Sequence, residues 1–147
     1  MMTDWQIEVG AEADGTDAAL LEDLTSVARW TLSGEEVDEI DLSIALMSDR
    51  SIAQLNQRYL SHEEPTDVIS FPLDQIGERK AGDVYVGVEQ AERQAAELGI
   101  PLREELLRLV VHGTLHILGW DHPDDERDES PMYHRQEELL RTFLERS

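Results

Sequence analysis

The positions of apolar residues along the chain outline its elements before any composition is considered. Ile40, Leu42, Ile44 and Leu46 alternate with Asp41, Ser43 and Ala45, which is the period of a half-buried strand. The same alternation in DVYVGV (83–88) predicts another strand, and WQIEV (5–9) and VISFPL (68–73) are short β-rich runs. Pro72 cannot donate to a sheet ladder, so VISFPL is expected at a sheet edge or to end there. Helical spacing takes over between these stretches. Leu20, Leu21, Leu24, Val27, Ala28 and Leu32 recur at helical intervals up to Gly34. Ser48 is placed to cap a helix with Ile52, Leu55 and Tyr59 on its inner face. EQAERQAAELG is helical and stops at Gly99, while Pro101 suits the first turn of a long helix through Leu118. Ser130 and Pro131 open a last amphipathic helix. SHEEPTD (61–67), DQIGERKAG (74–82) and WDHPDDERDE (120–129) are polar connections. The order β-α-β-α-β-β-α-α-α predicts one α+β domain over 1–147, a small mixed sheet of about four strands packed with about five helices.

Composition narrows the chemistry. The chain has 147 residues with 40% hydrophobic content, enough for one core. There is no cysteine, so a metal would be held by His, Asp or Glu. The N-terminus lacks a basic start followed by an apolar run, and no apolar stretch is long enough to span a bilayer. A soluble, cytoplasmic protein is the expectation. The 33 acidic and 12 basic residues give a net charge of −21, which argues against broad binding of nucleic acid through a cationic surface. A local basic groove stays open.

Three of the five histidines fall within HGTLHILGWDH, at His112, His116 and His122. On a helix, His112 and His116 lie one turn apart on one face. Gly119 can take a left-handed conformation and bend the chain so that His122 returns to the same point. Three protein ligands leave a fourth position for water, the arrangement of a catalytic zinc site rather than a closed structural one. Three unrelated histidines are the plain alternative, against which stand their density and the glycine at the bend. Leu115, Ile117 and Leu118 read as packing around the site. The H-x-x-x-H-x-x-G-x-x-H spacing is also that of metzincin peptidases, which place a general-base Glu directly after the first His. That position here is Gly113, so hydrolysis of peptides by that route is not expected.

The same segment resembles the HGxLHLxGyDH signature of the YbeY family of bacterial rRNA-maturation endoribonucleases, with Ile117 for the usual Leu and Trp120 for the usual Tyr. LNQRYLSHEEPTDVISFPLD resembles the family's LN-to-PTDVLSFP block, and AGDVYVGVEQAERQAAELG its GDI-strand-and-helix block. The resemblance implies a zinc-dependent, single-strand-specific endoribonuclease acting in maturation of the small-subunit rRNA 3′ end and in ribosome quality control. It implies one zinc per chain on His112, His116 and His122, and rRNA, ribosomal particles or assembly proteins as partners, with neither membrane nor DNA. Many members carry an arginine after the aromatic residue of the LNxxY segment. Here that position is Leu60, and Arg58 is the candidate to supply the charge from a different register.

The remaining candidates carry less. Asp121 neighbours His122 and is either a turn residue or a group that orients a histidine or accepts a proton. Asp83, Thr66 and Asp67 read first as turn residues. Arg79 and Lys80 read as a solvated turn with phosphate contact as the alternative, and Trp120 either stacks on a base or packs on the metal helix. Arg127 and His134 carry no spacing argument. An RNA enzyme this acidic needs its arginines gathered near the cleft or a partner that holds the RNA. Two other classes remain: a metallopeptidase or other metal-dependent hydrolase, and a non-catalytic ribosome-assembly factor whose metal only stabilises the fold.

Overall fold

Each stretch of alternation became a strand, and each helical run became a helix, in the expected order. A computed structural model describes residues 3–60, 67–73, 79–121 and 130–146. Among the described residues the strands are β1 (Asp4–Ala11), β2 (Glu39–Met47), β3 (Val68–Leu73) and β4 (Lys80–Gly87). The helices are α1 (Ala18–Gly34), α2 (Asp49–Leu60), α3 (Val88–Leu98), α4 (Leu102–Ile117) and α5 (Pro131–Glu145). The sheet runs β1-β2-β4-β3. β1 and β4 pair parallel to β2, and β3 pairs antiparallel to β4, so the sheet is mixed. Pro72 sits in β3, which is an edge strand, as its missing N–H requires.

The inward set of β2, Ile40, Leu42, Ile44 and Leu46, is buried as the alternation predicts. Leu24, Val27, Ala28 and Leu32 bury one stripe of α1. α4 is different. Its residues 105–107, 109–115 and 117 are all buried, so the helix is covered on nearly every side. It packs on β3 and β4 below and against α1, α3 and α5 around it. The sheet thus carries a central helix, and α1, α3 and α5 close around that helix.

Local chemistry explains the element ends. Asp17 accepts from the Ala19 N–H (2.9 Å) to open α1. Ser48 accepts from the Ser51 N–H (3.2 Å) to open α2. Two carboxylates reinforce that N-terminus: Glu12 accepts from Ser48 N–H (3.1 Å) and from the Ser51 hydroxyl, and Glu89 accepts from Asp49 N–H (2.8 Å). Negative charge is stabilised there by the helix dipole. The Ser51 and Ser48 bonds hold the Glu12 carboxyl below its ordinary range. Gly99 ends α3 in the left-handed region at φ 68°. Among the described residues, no helix is long and apolar enough to cross a membrane.

Two expectations about the polar connections need correction. β4 begins at Lys80, inside the segment read as a turn, because Ile40 and Asp41 of β2 pair with Lys80 and Ala81. Gly82 belongs to the strand for a packing reason: a Cβ there would stand 2.5 Å from the Ile117 side chain of α4. Arg79 is not a solvated turn residue but a clamp. Its Nε donates to Asp41 (2.9 Å), Nη1 to the Asp4 carboxylate (2.8 Å), and Nη2 to the backbone carbonyls of Asp4 (2.9 Å) and Ile40 (3.2 Å). It therefore ties β4 across β2 to β1. A smaller correction concerns α4, which ends at Ile117 with Leu118 as its cap.

Candidate active site

The last turns of α4 carry His112 and His116. They are four residues apart, and their rings meet edge to face with centroids 4.7 Å apart. The two Nε2 atoms lie 3.1 Å from one another. Each ring gives its other nitrogen to an oxygen. His112 Nδ1 lies 2.6 Å from Gln136 Oε1, and His116 Nδ1 lies 3.0 Å from the Trp120 carbonyl. A carbonyl oxygen only accepts, so in the neutral rings each Nδ1 bears the proton and each Nε2 presents a lone pair. Two lone pairs at that separation repel unless a cation lies between them.

The geometry suits such a cation. Tetrahedral coordination at ~2.0–2.1 Å from zinc sets two ligand nitrogens about 3.3 Å apart. An outer hydrogen bond from the other ring nitrogen is the usual companion of a metal-bound imidazole. His112 and His116 are therefore a matched pair of donors. Among the described residues, no three or more His, Cys, Asp or Glu side chains come together so that they could hold a metal ion. His122 lies outside the described residues.

Gly113 explains how the helix reaches this position. Its backbone lies against the sheet: a Cβ would meet Val84 Cγ1 at 2.5 Å and the Ser70 hydroxyl at 3.1 Å. Ser70 donates to the Gly113 carbonyl (3.2 Å). The position occupied by a base in the peptidases is here the contact between helix and strands, and the backbone has no room for a glutamate. After α4, Gly119 turns the chain at φ 102°, in the region glycine tolerates. Trp120 then folds back, its N–H reaching the Leu115 carbonyl (3.0 Å) and its indole Nε1 donating to Glu35 (2.5 Å). Glu35 also accepts from Arg135 (2.8 Å). These bonds pack the half-buried Trp120 against α4 and the end of α1, as the packing reading expects.

The other candidates separate. Asp121 is exposed directly beyond the turn, and Arg58 is exposed in the last turn of α2. Asp83 accepts from the Tyr85 hydroxyl (3.3 Å) within β4. His134 is exposed on α5 with its ring beside Tyr133. Thr66 and Arg127 lie outside the described residues.

A groove of about 440 Å³ opens beside His112. Leu98, Leu109 and Tyr133 give it apolar walls, and Arg108 lies between Glu105 and Glu137. Arg108 donates from Nη1 to Glu105 (2.8 Å) and from Nε and Nη2 to Glu137 (2.9 and 3.2 Å). Burial works against the charge of Arg108, but the bonds to Glu137 and Glu105 outweigh it and raise its pKa above the ordinary arginine value. Gln94 adds a bond to Glu105 (2.6 Å). With Asp67 also on its wall, the groove carries more negative than positive charge. Among the described residues lining this groove, the arginine gathering that direct RNA binding would favour does not occur.

Sequence reading missed Gln136 and the Arg108 cluster. One signal was present. Met132, Gln136, Leu139, Leu140 and Phe143 form the buried stripe of α5, and Gln136 is the polar member of that stripe. A buried amide needs partners, and its partner is a histidine of α4.

Comparison with known proteins identifies the family. Residues 6–144 match the family model described as Endoribonuclease YbeY. A protein of that name from Sulfurihydrogenibium is 40% identical over 120 residues, covering 80% of this chain and 79% of that protein. One from Mycolicibacterium vanbaalenii is 38% identical over 152 aligned positions, covering 94% of this chain and 80% of that protein. The solution structure of TM1509 from Thermotoga maritima superposes with a TM-score of 0.68 at 28% identity, covering 96% of this chain and 91% of that one. With residues 6–144 matched by the family model and relatives 38–40% identical over most of their length, the chain belongs to the YbeY family.

Proposed function

We propose that this protein is a zinc-dependent endoribonuclease that cleaves single-stranded RNA and acts in maturing the 3′ end of small-subunit rRNA and in ribosome quality control. Family membership supports the nuclease activity. The observation that carries the metal is the convergence of two imidazole lone pairs at 3.1 Å with both Nδ1 atoms bonded outward. His112, His116 and His122 are the proposed ligands of one ion per chain. Bound there, zinc would supply Lewis acidity at a phosphoryl oxygen and activate water near neutral pH.

The chain's own residues do the rest. The bonds to Gln136 and Trp120 hold the two rings so that both Nε2 atoms aim at one point. Gly113 leaves the peptidase base position empty, which favours RNA over peptide as substrate. Asp121 is the proposed proton-handling group, and Arg58 the proposed contact to phosphate. The acidic groove beside His112 repels free polyanion, so ribosomal particles or assembly proteins are the proposed agents that deliver the RNA. The protein is proposed to work in the cytoplasm.

Metal analysis of the purified chain, paired with cleavage of single-stranded RNA and casein with and without chelator, tests the reading. About one zinc per chain and chelator-sensitive RNA cleavage, with casein intact, are expected. His116→Ala is expected to fold and lose cleavage. Unfolding of that variant together with an inactive wild type would instead make the metal structural. Unprocessed rRNA 3′ ends in cells lacking the protein are the expected cellular result.

A further inference from the structure

The pairing of Gln136 with His112 contains an ambiguity that its neighbours remove. A glutamine amide can offer its oxygen or its NH2 group, and only the first choice leaves the His112 Nε2 lone pair available. Gln136 Nε2 lies 3.0 Å from Glu137 Oε2, an atom that can only accept. Glu137 is in turn gripped by Arg108 at two points, 2.9 and 3.2 Å. Arg108 is always a donor and is anchored on its far side by buried Glu105, which is 3% exposed. Each link has one allowed polarity. The permanent charge of Arg108 orients Glu137, Glu137 orients the amide, and the amide sets which nitrogen of His112 carries hydrogen.

We infer that Gln136 is a positioning residue for His112, its amide locked by the Arg108–Glu137 pair so that His112 Nε2 faces His116 as a lone pair. The device joins α4 to α5 through groups 24 to 29 positions apart in the chain. Gln136 is itself buried, 5% exposed, so water does not substitute for it freely. His116 has no need of such a relay, because its acceptor is a backbone carbonyl that cannot reverse. The inference rests on the metal-site reading above only for its purpose; the tautomer itself is a property of the metal-free chain.

Nitrogen-15 spectra of the histidine rings in metal-free protein, above the imidazole titration range, read the tautomer directly. Zinc affinity is read by competition with a chromophoric chelator, and folding by thermal unfolding. The wild type is expected to show His112 wholly in the Nδ1–H form. Gln136→Leu removes the acceptor and is expected to populate the Nε2–H form and weaken zinc binding about 10–100-fold. Gln136→Glu, which can only accept, is expected to keep the Nδ1–H form. Glu137→Ala frees the amide to turn and is expected to shift the tautomer in the same direction as Gln136→Leu, by less. An unchanged tautomer and affinity in Gln136→Leu would overturn the inference. So would equal losses in the Leu and Glu variants, which would mark a merely structural role. Should Gln136→Leu fail to fold, an unshifted Glu137→Ala is the overturning result. A wild type with the Nδ1–H form but no zinc binding would support the relay while removing the metal from the proposed function.

Discussion

At the scale of single residues, Gly113 sets a conflict between propensity and packing that magnitudes decide. Alanine in place of a helical glycine gains about 1 kcal/mol in propensity. Here the new Cβ would stand 2.5 Å from a methyl of Val84, which is fully buried. Val84 is stiff at χ1 and cannot swing away. Overpacking of this kind costs about 1–3 kcal/mol, so the net effect of Gly113→Ala is expected to be destabilising. Urea unfolding checks it, and a stabilised variant would show that α4 can lift off the sheet. The proposed metal adds a second expectation at this scale. Imidazole must be neutral to coordinate, so zinc occupancy is expected to fall between about pH 7 and pH 5, around the ordinary histidine value of ~6.5. Equilibrium dialysis at stepped pH measures it, and constant occupancy would contradict histidine ligation.

At the scale of elements, α5 matters because it carries Gln136. Ser130 caps it by accepting from Tyr133 N–H (3.1 Å). Ser130→Ala is expected to lower stability by ~1 kcal/mol and, by fraying the turn before Gln136, to weaken zinc binding as well. Both are measurable on one preparation. The sheet has its own element-level device in Arg79. Its hydrogen bond to Asp4, with a lesser one from Gln6, holds the Asp4 carboxyl below its ordinary value. A lowered carboxyl pKa gives stability that is full above the unfolded value and is lost as pH falls through the folded one. The difference between wild type and Arg79→Met is therefore expected to be largest above about pH 4 and to shrink on further acidification. Equal differences at both ends would mean the clamp works through its backbone bonds alone.

The strands and most helix ends were legible because their causes are local. Period-two alternation marks β2, and Gly99, Ser48 and Ser130 act on their immediate neighbours. The true start of β4 was hidden, since Gly82 is needed by Ile117 thirty-five positions away. The histidine pair was legible from helical spacing. Its partner Gln136 was visible only as an oddity in an apolar stripe, because the bond that explains it joins two helices.

At the scale of the whole molecule, charge dominates. Arg79, Arg93, Arg103, Arg108, Arg135 and Arg141 all pair with carboxylates, yet the chain retains a net −21. Exposed pairs are each worth about 0–1 kcal/mol and weaken in salt. Relief of the self-repulsion acts in the opposite direction and over the entire surface. Raising sodium chloride from about 0.05 to 0.5 M is therefore expected to raise the unfolding temperature. A fall would show that the ion pairs outweigh the repulsion. Naked RNA is expected to bind weakly and with a shallow salt dependence, because six arginines of the described residues are already engaged by carboxylates.

The flush seating of α4 on β3 and β4 also bears on how this scaffold could change over generations. A single codon change at position 113 would write the peptidase sequence into the chain, but the product would have to push two strands aside before it could fold. The route from this enzyme type to a protease thus crosses destabilised intermediates, and compensating changes at Val84 and Ser70 would ease it.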